Sequence, residues 1–399
     1  MEGKKDKKNY LKNINCGLFI LMFAFRSITD AIFVSKGIES NIWINLKYLF
    51  LIVGIIIGVF QMKNKKKIFT KEFFYLTFTV MMLFVISCIC ILINSEFSGS
   101  FFESIIKLIL PIIYVYVFLN IVEFQDIYKS MIAVLILSFL GYIFEIGFSN
   151  FNMNNLATIN FQDSYSPFES HFSSGTAIAM CAFFMYYRRE KKWMLLSFIF
   201  ALFTFKRMSI LFAIFLLVLP KFIDINKDAN KKLKGFIKVF FIISTLAYYC
   251  ILLPNNSEIF YKIFGENQAS LTMGRSDFLA RLISREYKIS GLGSIANVIG
   301  RGLEMDLISI YLETSIIGLC IFVSCYWNCA GNKIYTYIYM LFQFINLLTS
   351  HSLSNSFNWI LAFVIIGTIS YKNSQQFSRF SRKGVDRIYE KNINNNTNL

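Results

Sequence analysis

The sequence predicts an all-α, polytopic integral membrane protein of about twelve transmembrane helices. Three observations predict it: long apolar runs, a small share of charge, and basic residues gathered between the runs. Of 399 residues, 56% are hydrophobic and 16% charged, whereas an ordinary soluble domain carries about 25% charge. Phe occurs 45 times and Pro 4 times, which suits lipid-facing helices with few deliberate breaks. A soluble all-helical protein would need charged stripes at helical spacing on most segments, and the sequence lacks them.

Apolar runs that match a hydrocarbon core about 30 Å thick fall near 14–34, 42–61, 73–94, 105–122, 129–149 and 171–187. Six more follow near 193–206, 207–222, 238–254, 306–327, 334–350 and 357–371. The stretch from Trp193 to Phe222 is too long for one ordinary span, and Lys206-Arg207 interrupts it. Two short or re-entrant helices with the basic pair at their turn are expected, because one long helix would bury two charges. Residues 1–371 read as a single membrane domain with a large outer loop at about 255–305. Residues 372–399 read as a basic cytoplasmic tail, rich in Ser, Asn and Arg and expected to be partly disordered.

The charges agree with this layout. With the N-terminus inside, Lys4, Lys5, Lys7, Lys8 and Lys12 share a side with the lysines of 63–71 and with Arg188, Arg189, Lys191 and Lys192. The lysines of 221–238 and the basic tail fall there too, as the positive-inside rule requires. The net charge of +16 therefore reads as a surface against anionic lipid, and no nucleic-acid partner is expected. The eight cysteines lie in apolar runs or at their ends, with no CxxC pair and no nearby His. That argues against a disulfide framework or zinc site, and no metal or cofactor is expected. The segment from Met1 to Lys12 is polar and basic, and the run after it is long enough to remain as a span rather than a cleaved signal. No repeat relates the two halves, so an inverted-repeat transporter is not suggested.

The residues that break the charge rule are the informative ones. Lys262, Arg275, Arg281, Arg285, Lys288 and Arg301 fall on the outer side, where Lys206 and Arg207 are also expected. Arginine binds phosphate and carboxylate in a bidentate fork, so a basic outer pocket beside lipid suits a lipid diphosphate. The same arginines could instead pair with Glu258, Glu266, Asp277 and Glu286 in a solvated loop, and Arg207 could be a snorkelling helix-end residue. Glu304 and Asp306, at the outer start of a span, are candidate proton acceptors. Asp306 reads equally well as an N-cap. The two histidines, His171 and His351, fall at outer ends of spans as candidate ligands for sugar or diphosphate, although a lone interfacial histidine is more often structural. Arg26 and Asp30, four apart, read as a structural ion pair. Glu145 and Glu313 fall inside spans and should face the protein interior, with their roles open. The loop 150–170, rich in Asn, Ser and aromatic residues, suits sugar contact as well as it suits any exposed loop.

Four segments carry a resemblance. FTFKRMSI (Phe203 to Ile210) is similar to the Arg-bearing turn of O-antigen polymerases and ligases, and TMGRSDF (Thr272 to Phe278) resembles the Gly-Arg segment of their large periplasmic loop. Gly291-Leu292-Gly293 resembles their G-x-G turn, and DLISIYLETSIIGL (Asp306 to Leu319) the start and the G-I-I-G end of the next span. Ser315 stands where that motif begins with glycine, and Glu304-Met305 where the ligases commonly show His-Asn, which favours a polymerase. The resemblance to the Wzy-like O-antigen polymerases implies a glycosyltransferase of the bacterial inner membrane with both termini cytoplasmic. Its substrate would be an undecaprenyl-diphosphate-linked oligosaccharide, for O-antigen or capsule, and its partners membrane lipids and a chain-length regulator. It implies Arg207 and Arg275 as catalytic, with Lys206 and Arg301 beside them at the diphosphate. A ligase of the same superfamily and a flippase for the lipid-linked unit are the competing readings; charge concentrated in one outer loop speaks for an enzyme over a flippase.

Overall fold

A computed structural model describes residues 2–33, 42–62, 67–95, 97–152, 155 and 168–371. The tail 372–399 and most of the loop 150–170 lie outside the described residues. The chain is all-helical, about 80% helix, and among the described residues has no strand beyond one isolated bridge between Asp228 and Lys333.

In chain order the helices begin with α1 (Glu2–Ile32), α2 (Ile42–Gln61), α3 (Thr70–Asn94), α4 (Ser100–Ile121) and α5 (Phe124–Ile146). Next come α6 (His171–Tyr187), α7 (Lys191–Phe203), α8 (Arg207–Val218) and α9 (Lys231–Leu252). Four short helices follow: α10 (Ser257–Phe264), α11 (Gln268–Leu271), α12 (Arg275–Ser284) and α13 (Ser294–Ile299). The last are α14 (Asp306–Asn328), α15 (Ile334–Thr349) and α16 (Ser356–Ser370).

Each of the twelve expected apolar runs coincides with a helix, and seven of these are long and apolar enough to cross a membrane: α1 from Tyr10, then α2, α3, α4, α5, α9 and α14. The expected break at Lys206-Arg207 is present, with α7 ending at Phe203 and α8 starting at Arg207. At 1.5 Å per residue these two helices are roughly 20 and 18 Å long, each short of a ~30 Å core. The region 255–305, expected as a loop, is mostly helical, because its apolar residues recur at helical spacing and have a core to meet.

The chain groups into two compact units. The first comprises the described residues of 1–69, 114–223 and 364–371. Here α1 packs on α2 and α5, and α6 packs on α5, α7 and α8. The rings of Phe19 and Phe118 stack at 4.7 Å, with Tyr114 alongside. Gly54 and Gly58 bring α2 close to the 114–121 stretch: a Cβ at Gly54 would lie 2.9 Å from the Tyr114 ring, and one at Gly58 would overlap Val117. This is the small-xxx-small spacing that lets membrane helices approach.

The second unit comprises residues 70–113 and 224–363. In it α14 packs against α3, α9 and α15. The short helices are anchored by Leu279, Leu282 and Ile295, which join Leu252, Leu303, Met305 and Ile308 in one buried cluster. Burying apolar side chains of this size stabilises by about 1.5–3 kcal/mol each, which is ample to order the segment.

Candidate functional site

The second unit gathers most of the residues expected to carry chemistry, around a clamp that the G-x-G turn forms. The amide of Gly291 donates to the Glu313 carbonyl at 3.1 Å. The amide of Ile295, at the start of α13, donates to the Glu313 carboxylate at 3.2 Å. Ser87 of α3 accepts from the Leu292 amide at 3.1 Å, and Ser100 donates to the Gly293 carbonyl at 2.7 Å. Both glycines have positive φ, and a Cβ at either would come within 3 Å of Ser87 or Ser100. Only glycine meets both demands. Glu313, left open from the sequence, is thus the buried carboxylate that ties the loop to α14.

Two residues after Glu313, α14 breaks. Ser315 has φ 66° and ψ −178°, a region that is essentially glycine territory. That explains why the motif this segment resembles has glycine there, and serine holds the same backbone at a cost in strain.

At the start of α14, Met305 occupies the cap position and Asp306 is the first helical residue. Asp306 makes no cap of its own helix. Its carboxylate, 3% exposed, turns to the segment between α15 and α16, where Oδ2 accepts from the amides of Ser352 at 2.5 Å and Leu353 at 2.7 Å. Oδ1 lies 2.9 Å from His351 Nδ1, and His351 Nε2 lies 2.9 Å from Ser354 Oγ. With Asp306 ionised, Nδ1 carries the proton, Nε2 is left as an acceptor, and Ser354 donates to it. Burial alone would lower the His351 pKa, but the hydrogen bond and charge of Asp306 outweigh it and raise the value above that of ordinary histidine. The imidazole is about half exposed while its partner is buried, so Asp306 orients a ring that solvent reaches. The sequence offered Asp306 as a proton acceptor or N-cap and His351 as a ligand, each separately; the structure joins them in one hydrogen-bonded pair.

The 302 position connects this pair to the arginine-bearing segment by backbone alone. Gly302 lies against the His351 ring, where a Cβ would approach within 2.9 Å. Its neighbour Arg301 sits over the Phe278 ring at 4.2 Å and pairs with Glu304 at 2.5 Å, which engages Glu304. Arg281 approaches the same ring at 6.0 Å and is exposed. Arg275, one turn before Phe278, opens α12 after Gly274, whose positive φ turns the chain into the helix. Its Nη1 donates to the Thr272 carbonyl at 3.1 Å, and its buried Nε has no partner among the described residues. Arg285 is exposed and donates to the Val298 carbonyl. Tyr287, in the same segment, bonds Ser294 at 2.7 Å, and burial raises its pKa.

Lys206 and Arg207 belong to the first unit, at the α7–α8 turn. Tyr142, which donates to the Phe168 carbonyl at 3.0 Å and reaches that of Phe203, pins the end of α7 before that turn. Arg207 is exposed and Lys206 half-buried. His171 begins α6, and its side chain lies outside the described residues. The expected Arg26–Asp30 pair is present at 3.3 Å, and Lys47 joins it at 3.4 Å. Glu145 accepts from Ser170 at 2.8 Å and Ser173 at 3.0 Å.

No protein-family model, no curated protein and no solved structure significantly matches this chain. The functional reading rests on the residues themselves.

Proposed function

We propose that this protein polymerises undecaprenyl-diphosphate-linked oligosaccharide repeat units, for O-antigen or capsule, by glycosyl transfer at the outer face of a bacterial inner membrane. The observation that carries the reading is the Asp306-backed His351 with its accepting Nε2, packed against Gly302, the residue that follows Arg301. The four sequence segments support it from a separate direction. In this reading twelve helices cross the membrane, both termini are cytoplasmic, and 255–305 lies outside.

His351 Nε2 takes the proton of the acceptor sugar hydroxyl, displacing Ser354 as its partner. The hydroxyl oxygen attacks the anomeric carbon of the donor glycan, and the carbon–oxygen bond to the diphosphate breaks with the electron pair leaving on that oxygen. Undecaprenyl diphosphate departs. Arg275 and Arg301 are assigned to its developing charge, as preorganised donors in a partly dry site. Arg207 and Lys206 are assigned to the same diphosphate by the resemblance alone, with Arg281 and Arg285 as outlying substrate contacts.

The test is a gel of surface polysaccharide from a bacterium lacking this gene. A single repeat unit on the lipid core with the ladder gone is the expected result. Lipid-linked polymer accumulating outside would mean a ligase instead, and single units trapped inside would mean a flippase.

A further inference from the structure

A second feature of the 224–363 unit lies away from the histidine and the arginines. An apolar groove of about 350 Å³ runs between α9 and α15, with no polar surface in its lining. Leu233, Phe236 and Phe240 of α9 line one wall, and Ile334, Ile338 and Leu341 of α15 line the other. Each set recurs at three- or four-residue steps from its helix start, so the two stripes run side by side from a common end. That end is fixed by backbone: Ala229 donates to Asn332 at 2.7 Å and Ile334 to Lys227 at 2.9 Å.

The same end is basic. Lys234 is held over the ring of Tyr337, a lining residue, at 5.1 Å. It donates to the Gly331 carbonyl at 2.9 Å and to Asn332 Oδ1 at 2.8 Å, both neutral acceptors. The nearest carboxylates in its field, Asp228 and Glu72, form no ion pair with it among the described residues, and Asp228 is taken by Lys333 at 2.8 Å. Lys231 and Lys232 are exposed in the first turn of α9. An oily groove with ordered cations at one end is complementary to one kind of molecule, an anion that carries a long apolar tail.

We propose that the α9–α15 groove is a binding site for an anionic phospholipid. An acyl chain lies along Leu233, Phe236, Phe240 and Ile338, and the phosphate sits among Lys231, Lys232 and Lys234. An extended peptide would leave its backbone amides unpaired against this lining. A zwitterionic lipid would fill the groove but gain little net attraction from cations that form no ion pair among the described residues. The proposal stands apart from the glycosyl-transfer reading, since no residue is shared.

The test titrates phosphatidylglycerol or phosphatidylcholine into the purified full-length protein in detergent and counts bound lipid by native mass spectrometry. One tightly held phosphatidylglycerol per chain is expected, with phosphatidylcholine much weaker. Lys232→Ser with Lys234→Gln removes two cations worth about 1 kcal/mol each, so binding should weaken about thirtyfold. Leu233→Trp, which fills the groove, should weaken both lipids. Lys191→Ser with Lys192→Ser removes equal charge elsewhere and should bind as wild type. Equal retention of the two lipids, or full retention by the 232/234 variant, overturns the proposal. So does a dimer abolished by Leu233→Trp in place of a lipid adduct.

Discussion

In the proposed reaction His351 and Asp306 divide one task. The buried aspartate, with two backbone amides and an imidazole on its oxygens, serves as a fixed orienting group, while the half-exposed imidazole takes the proton. His351→Ala should therefore lower polymer formation by about 10²–10⁴, the usual worth of a general base. Ser354→Ala should cost far less, because in the reaction that hydroxyl gives way to the substrate. The raised pKa of His351 sets two pH dependences. The base must be neutral, so activity should rise with pH through a value above about 6.5, the ordinary histidine pKa. Stability runs the other way. A raised pKa means the protonated form favours the folded chain, fully below about pH 6.5, with that contribution lost as pH climbs through the raised value. Thermal melts of His351→Gln from about pH 5 to 8 should be flatter than wild type. An unchanged slope would remove the pair from the account.

At the scale of elements, the break in α14 and the G-x-G turn form one device. Ser315 holds a backbone that costs on the order of 1–3 kcal/mol for a residue with a side chain. Ser315→Gly should accordingly raise Tm, whereas Ser315→Val should lower it. Gly291→Ala and Gly293→Ala each combine a positive φ with a clash, on Ser87 and on Ser100. Each should destabilise by about 1–3 kcal/mol, seen as a lower Tm, more easily proteolysed loop helices and reduced polymer length. The twelve apolar helices and the 204–206 break were legible in the sequence because period and charge encode them locally. The short helices of 255–305 were not, since their order comes from Leu279, Leu282 and Ile295 meeting residues far along the chain. The same limit hid the site. Asp306 and His351 were each singled out, but 45 positions separate them and no local pattern pairs them. Ser354 emerged only with the 350–355 segment folded against Asp306, and the Glu313 clamp only with the turn brought to α14.

For the whole molecule, the proposed topology places 255–305 outside the cytoplasm. A reporter fused after Ser270, exposed in α11, should be active outside and silent inside. Activity in the cytoplasm would overturn the span count together with the outer location of every arginine in the site. The central claim is glycosyl transfer by the 275–301 segment with His351. It is tested most directly by supplying the purified full-length chain with lipid-linked repeat units from a strain lacking the gene, and resolving the products by size. Wild-type protein should build a ladder, and Arg275→Ala and His351→Ala, both still inserted in the membrane, should leave single units. A ladder of wild-type length from either variant, or none from the wild-type chain, would contradict the account.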